Sequence, residues 1–145
     1  MIVYLDNCCY NRPFDDQMQE RIHLESEAIL AILKMGQVKR IVIAGSDILE
    51  LEMNRMSDEN KKRKVLDLYK AADIHIPYTS KIKKRSEEIV SISKIRTFDS
   101  LHIASAEEVN ADVLLTTDDR FEKMAEKLDL KTRVVNPLRF AWAVI

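Results

Sequence analysis

Glycine is almost missing from this chain: Gly36 and Gly45 are the only two in 145 residues. Neither a glycine-rich dinucleotide loop nor a phosphate-cradling P-loop can be written with them, because both need several glycines at fixed spacing. Cysteine is confined to the neighbours Cys8 and Cys9. That excludes a disulfide framework and reads as two small buried residues in a reducing compartment. No Pro/Gly/Ser-rich linker divides the sequence, so one domain over residues 1–145 is expected. Long apolar runs are lacking too, and no charged-then-apolar leader opens the chain, so the expected location is the cytoplasm, away from membranes. Net charge is equally scarce, with 23 Lys and Arg against 24 Asp and Glu. Bulk charge therefore advertises no nucleic-acid partner, and any basic surface must be local. The two candidates are 61–64 and 81–85, which read as solvated helix faces unless they flank a site.

What is present is 46% hydrophobic residues, enough for a proper core, arranged as short apolar runs alternating with helical patterns. Residues 2–5 read as a buried strand. After the turn-like Asn11-Arg12-Pro13, Asp16 with Gln19 forms a capping box for a helix to about Met35, ended by Gly36. A second strand is expected at 39–44, followed by a short helix from Ser46 or Asp47. Ser57 opens a helix to about Ala72, and residues 74–76 form a third strand stopped by Pro77. Thr79 or Ser80 caps a helix to about Val90, and another runs from Thr97 to about Val109. A strand at 113–116 precedes a helix from Asp119 to about Leu128. A last strand at 133–135 leads to Pro137 and an apolar tail with Phe140 and Trp142. Strands alternating with helices predict a three-layer α/β/α sandwich around a parallel sheet of four or five strands.

The chemistry lies in acids placed where apolar runs give way to helices: Asp6, Asp47 with Glu50, Asp99, and Asp118 with Asp119. In a parallel sheet the carboxyl ends of the strands share one edge, where ligand sites form. Two carboxylates about 5 Å apart repel by roughly 3 kcal/mol at an effective dielectric near 20, so four together call for a cation. Singly, Asp47, Asp99 and Asp119 fit helix capping or the helix dipole, and Glu52 fits a solvated helical charge. Asp6 does not, because it follows an all-apolar strand with no evident helix start to cap. Glu50 lies between Leu49 and Leu51, where an idle charge is not expected. His23 and His75 have no ligand spacing with other His or Cys residues, which argues against zinc. His102, one turn after Asp99, reads as a packing or helix-surface residue.

Four segments taken together resemble the PIN domain family, and within it the compact VapC-like members. They are Val3-Tyr4-Leu5-Asp6; Ser46-Asp47-Ile48-Leu49-Glu50; Phe98 to Ala106; and Leu114 to Phe121, in that order along the whole chain. The resemblance implies a metal-dependent endoribonuclease, plausible as the toxin of a toxin–antitoxin pair. It carries the family's acidic positions to Asp6, Glu50, Asp99 and Asp118, with Asp119 auxiliary; Asp47 and Glu52 are close enough in sequence to replace Glu50. Hard carboxylate oxygens suit Mg²⁺ or Mn²⁺, and the implied products are a 5′-phosphate and a 3′-hydroxyl. Asn7 stands where the family often has Thr or Ser. With Arg12 and Thr116 it is a candidate for substrate contact, and Arg96 and Arg120 are further rim candidates. The implied partners are single-stranded RNA, an antitoxin protein and a second copy of the chain. The competing reading is a PIN-like module that binds RNA or protein without cutting. A phosphatase with Asp6 as nucleophile fits poorly, since Cys8 occupies the place of its second Asp.

Overall fold

In the computed structural model, which describes residues 1–144, five short strands form one parallel sheet in the order β3-β2-β1-β4-β5. They are β1 (Ile2–Leu5), β2 (Val42–Ser46), β3 (Ile74–Ile76), β4 (Val113–Leu115) and β5 (Arg133–Val135). The pairing aligns Tyr4 with Ala44 on one side and with Leu114 on the other. Val3, Tyr4 and Leu5 are all fully buried. Successive strand residues point to opposite faces, so both faces of the sheet are covered, as an all-parallel sheet requires.

The flanking helices are α1 (Asn7–Asn11), α2 (Glu20–Gln37), α3 (Asp47–Asn54), α4 (Glu59–Tyr69), α5 (Ser80–Ser91), α6 (Thr97–Glu108), α7 (Asp119–Glu126) and α8 (Pro137–Val144). Asp58 caps α4 through the backbone N–H groups of Asn60 and Lys61, so that helix begins just after the expected Ser57. The tail is helical, with Pro137 at its first position and its face against α2; Phe140 is buried and Trp142 is exposed.

Three elements depart from the sequence reading. Helix α1 follows Asp6 directly; at five residues it is too short to show a hydrophobic period. Strand β2 sits three residues later than expected at its start, because Lys39 takes a left-handed conformation (φ 62°) and the chain turns through Arg40. Gly36 lies inside α2 rather than capping it. A Cβ there would stand 2.6 Å from Ile43 Cγ1, so the missing side chain is what lets α2 approach β2. No described helix is long and apolar enough to cross a membrane.

From β1 the chain builds outward through β2 and β3, then crosses to β4 and β5 on the other side. The direction therefore reverses between β1 and β4, and the crevice at their carboxyl ends is where open α/β sheets bind ligands.

Candidate metal centre

Asp6 and Asp118 flank that crevice. The Asp6 N–H donates to Leu115 O at 2.9 Å, extending the β1–β4 ladder by one residue and fixing the backbone. Asp6 holds the N-cap position of α1, yet its side chain makes no capping bond; its carboxylate turns into the crevice instead. There Oδ2 accepts from Thr116 Oγ1 at 3.1 Å and from Cys8 Sγ at 3.5 Å. Thr116 Oγ1 in turn accepts from the Asp118 N–H at 3.1 Å, so one buried hydroxyl ties the two aspartates together. Asp118 Oδ1 caps α7, accepting from Arg120 N and Phe121 N at 3.0 and 3.2 Å. One Asp118 oxygen thus serves the helix and the other remains available.

The second half of the cluster comes from α3 and α6. His102 is wholly buried, which decides between the packing and helix-surface readings in favour of the former. Its Nε2 hydrogen-bonds Glu52 and lies 3.8 Å from Asp6 Oδ1. A carboxylate only accepts, so Nε2 carries a proton. On the other side of the ring, Nδ1 meets Tyr4 Oη at 2.5 Å, and Tyr4 Oη meets Ser46 Oγ at 2.7 Å. Ser46 Oγ itself accepts from Leu49 N and caps α3. The chain Ser46–Tyr4–His102–Glu52 therefore locks the glutamate from beneath. Side-chain polar atoms of Asp6, Glu52 and His102 lie within 4.8 Å of one another, the imidazole N–H facing the two carboxylates, and Asp99 and Asp118 line the same cavity of about 390 Å³ as Asp6 and Glu52.

The electrostatics follow from the crowding. Burial raises the Asp6 carboxyl above its usual range against the pull of His102. Asp99 is pushed up to about 7, first by burial and then by the charge of Asp6. For His102, burial lowers its proton affinity, but the bond to Glu52 and the charges of Asp6, Glu52 and Asp99 outweigh that and raise it overall. This is a site short of positive charge.

Glu50 is not part of it. Residues two apart on a helix point about 200° apart, and burial of Ile48, Leu49 and Met53 sets the phase of α3 so that Glu52 faces the crevice. Glu50 faces β3, where its Oε2 accepts from Tyr69 Oη at 3.2 Å and meets His75 Nδ1 at 2.9 Å. Asp47 joins that second group, with Oδ1 2.6 Å from His75 Nε2 and Oδ2 accepting from the Tyr78 N–H. The structure also separates Asp119 from the crevice: it is exposed and forms a two-point pair with Arg21 at 2.6 and 2.7 Å. Thr116 is buried against Asp6 rather than presented to a substrate. Asn7 and Arg12 line the cavity, though Arg12 is already paired with Glu25 and Asp15. Lys61, from the first basic run, reaches the rim and pairs with Asp15. The second run lines a different groove of about 710 Å³, where Arg85 bonds Glu107, and Arg120 does not line the crevice.

The sequence model of the PIN domain family matches residues 16–127, well over half of the chain. The chain belongs to the PIN domain family. The match includes Glu52, Asp99 and Asp118, with Asp6 just before it. Two solved structures are similar to this PIN domain across 94% of its length and 98% of their own chains. One is VapBC2 from Rickettsia felis bound to a DNA fragment from its promoter, with TM-score 0.63 and 18% identity. The other is VapBC-1 from nontypeable Haemophilus influenzae, with TM-score 0.59 and 16% identity. At such identities the likeness is one of fold. No curated protein sequence matches closely enough to count as a relative.

Proposed function

We propose that the protein is a divalent-metal-dependent endoribonuclease and the toxin of a toxin–antitoxin pair. The observation that carries this reading is the convergence of Asp6, Glu52, Asp99 and Asp118 on one crevice, where burial and the charge of Asp6 push the Asp99 carboxyl up. The donor set fits a hard ion: carboxylate oxygens suit Mg²⁺ or Mn²⁺, and a second such charge would relieve the repulsion. Asp6 and Asp99 would hold the ion, with Glu52 and Asp118 completing the site. Such an ion would supply Lewis-acid chemistry there, polarising a phosphodiester and acidifying a water.

The chain's own residues do the positioning. Thr116 and His102 hold Asp6 and Glu52 in fixed directions, as partners of metal-binding side chains characteristically do. Asn7 presents an amide beside Asp6, suited to a phosphate oxygen or water, and Arg12 lines the mouth. The products expected are a 5′-phosphate and a 3′-hydroxyl. The implied protein partner is an antitoxin, by likeness to chains from VapBC complexes, and a homodimer and a cytoplasmic location belong to the same reading.

Incubation of the protein with single-stranded RNA and Mn²⁺ tests it. Cleavage is expected, lost on chelation, and reduced in Asp6→Asn by more than the roughly hundredfold that removing a mere supporting residue costs. RNA binding with no cleavage under any divalent ion would instead leave the non-cutting module.

A further inference from the structure

An acidic crevice repels the phosphates of its own substrate, so cations not already neutralised must lie beside it. On one rim they are spent: Arg12 is paired with Glu25 and Asp15, and Lys61 with Asp15. At the end of α3 and the start of α6, among the described residues, Arg55 and Arg96 are exposed and have no carboxylate partner. Arg96 lines the cavity. The guanidinium carbon of Arg55 lies 5.7 Å from the centre of the Phe98 ring.

Phe98 is the odd one among the four phenylalanines. Phe121 and Phe140 belong to the core and Phe14 packs on it, whereas Phe98 is half-buried and stands outside it. Its placement is tied to the acids. Phe98 immediately precedes Asp99 on α6, and Arg55, the C-cap of α3 with helical φ and ψ, follows Glu52 by three residues, which keeps it near the side of the helix that bears Glu52. An aromatic ring covered by a guanidinium offers the flat, cationic surface on which unpaired bases stack.

We propose that Phe98 and Arg55 form the stacking platform for the nucleobase next to the scissile phosphate, with Arg96 drawing in the adjoining backbone. This deepens the nuclease reading and rests on it for the position of that phosphate. With Arg12 and Lys61 paired, the unpaired cations favour a strand path past the end of α3 and the start of α6. Stacking reads no base edge, so the platform admits any single-stranded sequence and excludes a paired base, whose faces are already covered.

The test measures binding apart from cleavage. A short single-stranded RNA carrying 2-aminopurine is titrated with the full chain in Ca²⁺, the RNA being checked on a gel as intact. Wild type is expected to change the probe's fluorescence as the base stacks. Phe98→Leu is expected to abolish that change and weaken binding about tenfold, the loss of one stacked base, while Phe98→Trp retains both. Unchanged melting of Phe98→Leu shows that it folds. The platform is overturned if Phe98→Leu binds and perturbs the probe like wild type, or if wild type binds RNA without perturbing it. Cleavage in Mn²⁺ by a protein that fails this test leaves the nuclease reading intact; stacking without cleavage under any ion does the reverse; no RNA binding at all sinks both.

Discussion

Asp99 keeps its proton to about pH 7 in the folded protein, whereas an unfolded chain releases it near 3.9. Between those values the native state binds the proton and the unfolded state does not, so metal-free stability falls as pH rises from about 4 to 7. Asp6, also raised, acts with the same sign. His102, raised above its usual value, adds a decline as pH climbs beyond about 6.5. Asp99→Asn is therefore expected to flatten much of the pH 4–7 slope and to raise metal-free stability at pH 8 by about 1–2 kcal/mol, read from thermal melts across pH. A slope unchanged in Asp99→Asn would contradict this. The same crowding explains which residues were legible. Asp6 and Asp118 stand out in sequence because they follow apolar strands, and Asp99 because it opens the helical segment from Ser100 to Ala104. Glu52 does not, because two glutamates two residues apart are separated only by the phase of α3, which the burial of Ile48, Leu49 and Met53 decides. His102 was hidden for a different reason: its partners, Tyr4 and Glu52, are 98 and 50 residues away. Its one local signal was a place three residues after Asp99. Replacing it by Ala would leave the Tyr4 hydroxyl with Ser46 alone, take the donor away from Glu52 and open a cavity, at an expected cost of about 2–4 kcal/mol in denaturant unfolding.

At the scale of elements, α2 and β2 meet where Gly36 has no side chain. Gly36→Ala would ordinarily strengthen a helix by up to about 1 kcal/mol. Here the new methyl would press on Cγ1 of Ile43, which is wholly buried and has nowhere to go. The overpacking is expected to win, with a net loss of about 1–2 kcal/mol by urea unfolding; a stabilised variant would show that α2 floats on the sheet. The longer helices were readable from their apolar stripes, and Thr79 caps α5 through Ile82 N; the expected Asp16 capping box is not formed, because Asp16 accepts from Met18 N in a turn and α2 begins only at Glu20. Helix α1 and the start of β2 were not readable. A single turn holding Cys9 and Tyr10 has no period to detect, and the left-handed Lys39 carries none of the usual turn chemistry.

For the molecule as a whole, alternation of strands and helices was enough to predict a parallel sheet with helices on both faces. Strand order was the part that sequence alone left open, and it is the order that makes the site. With β1 central and the chain reversing direction between β1 and β4, residues 6, 52, 99 and 118 reach one crevice from four separate segments. The glycine-poor sequence suits that role, since the carboxylates are borne on strand ends and helices rather than on pliant loops. The family match and the two VapBC folds are consistent with this architecture and leave the ion itself to experiment. Mn²⁺ titration of wild type, Glu50→Gln and Glu52→Gln, followed by thermal stability in the absence of RNA, addresses it most directly. Wild type and Glu50→Gln should both gain about 2.7 kcal/mol at a hundredfold excess over the dissociation constant, and Glu52→Gln should lose most of that gain. No stabilisation of wild type, or its loss in Glu50→Gln rather than Glu52→Gln, would contradict a cation held where these four acids meet.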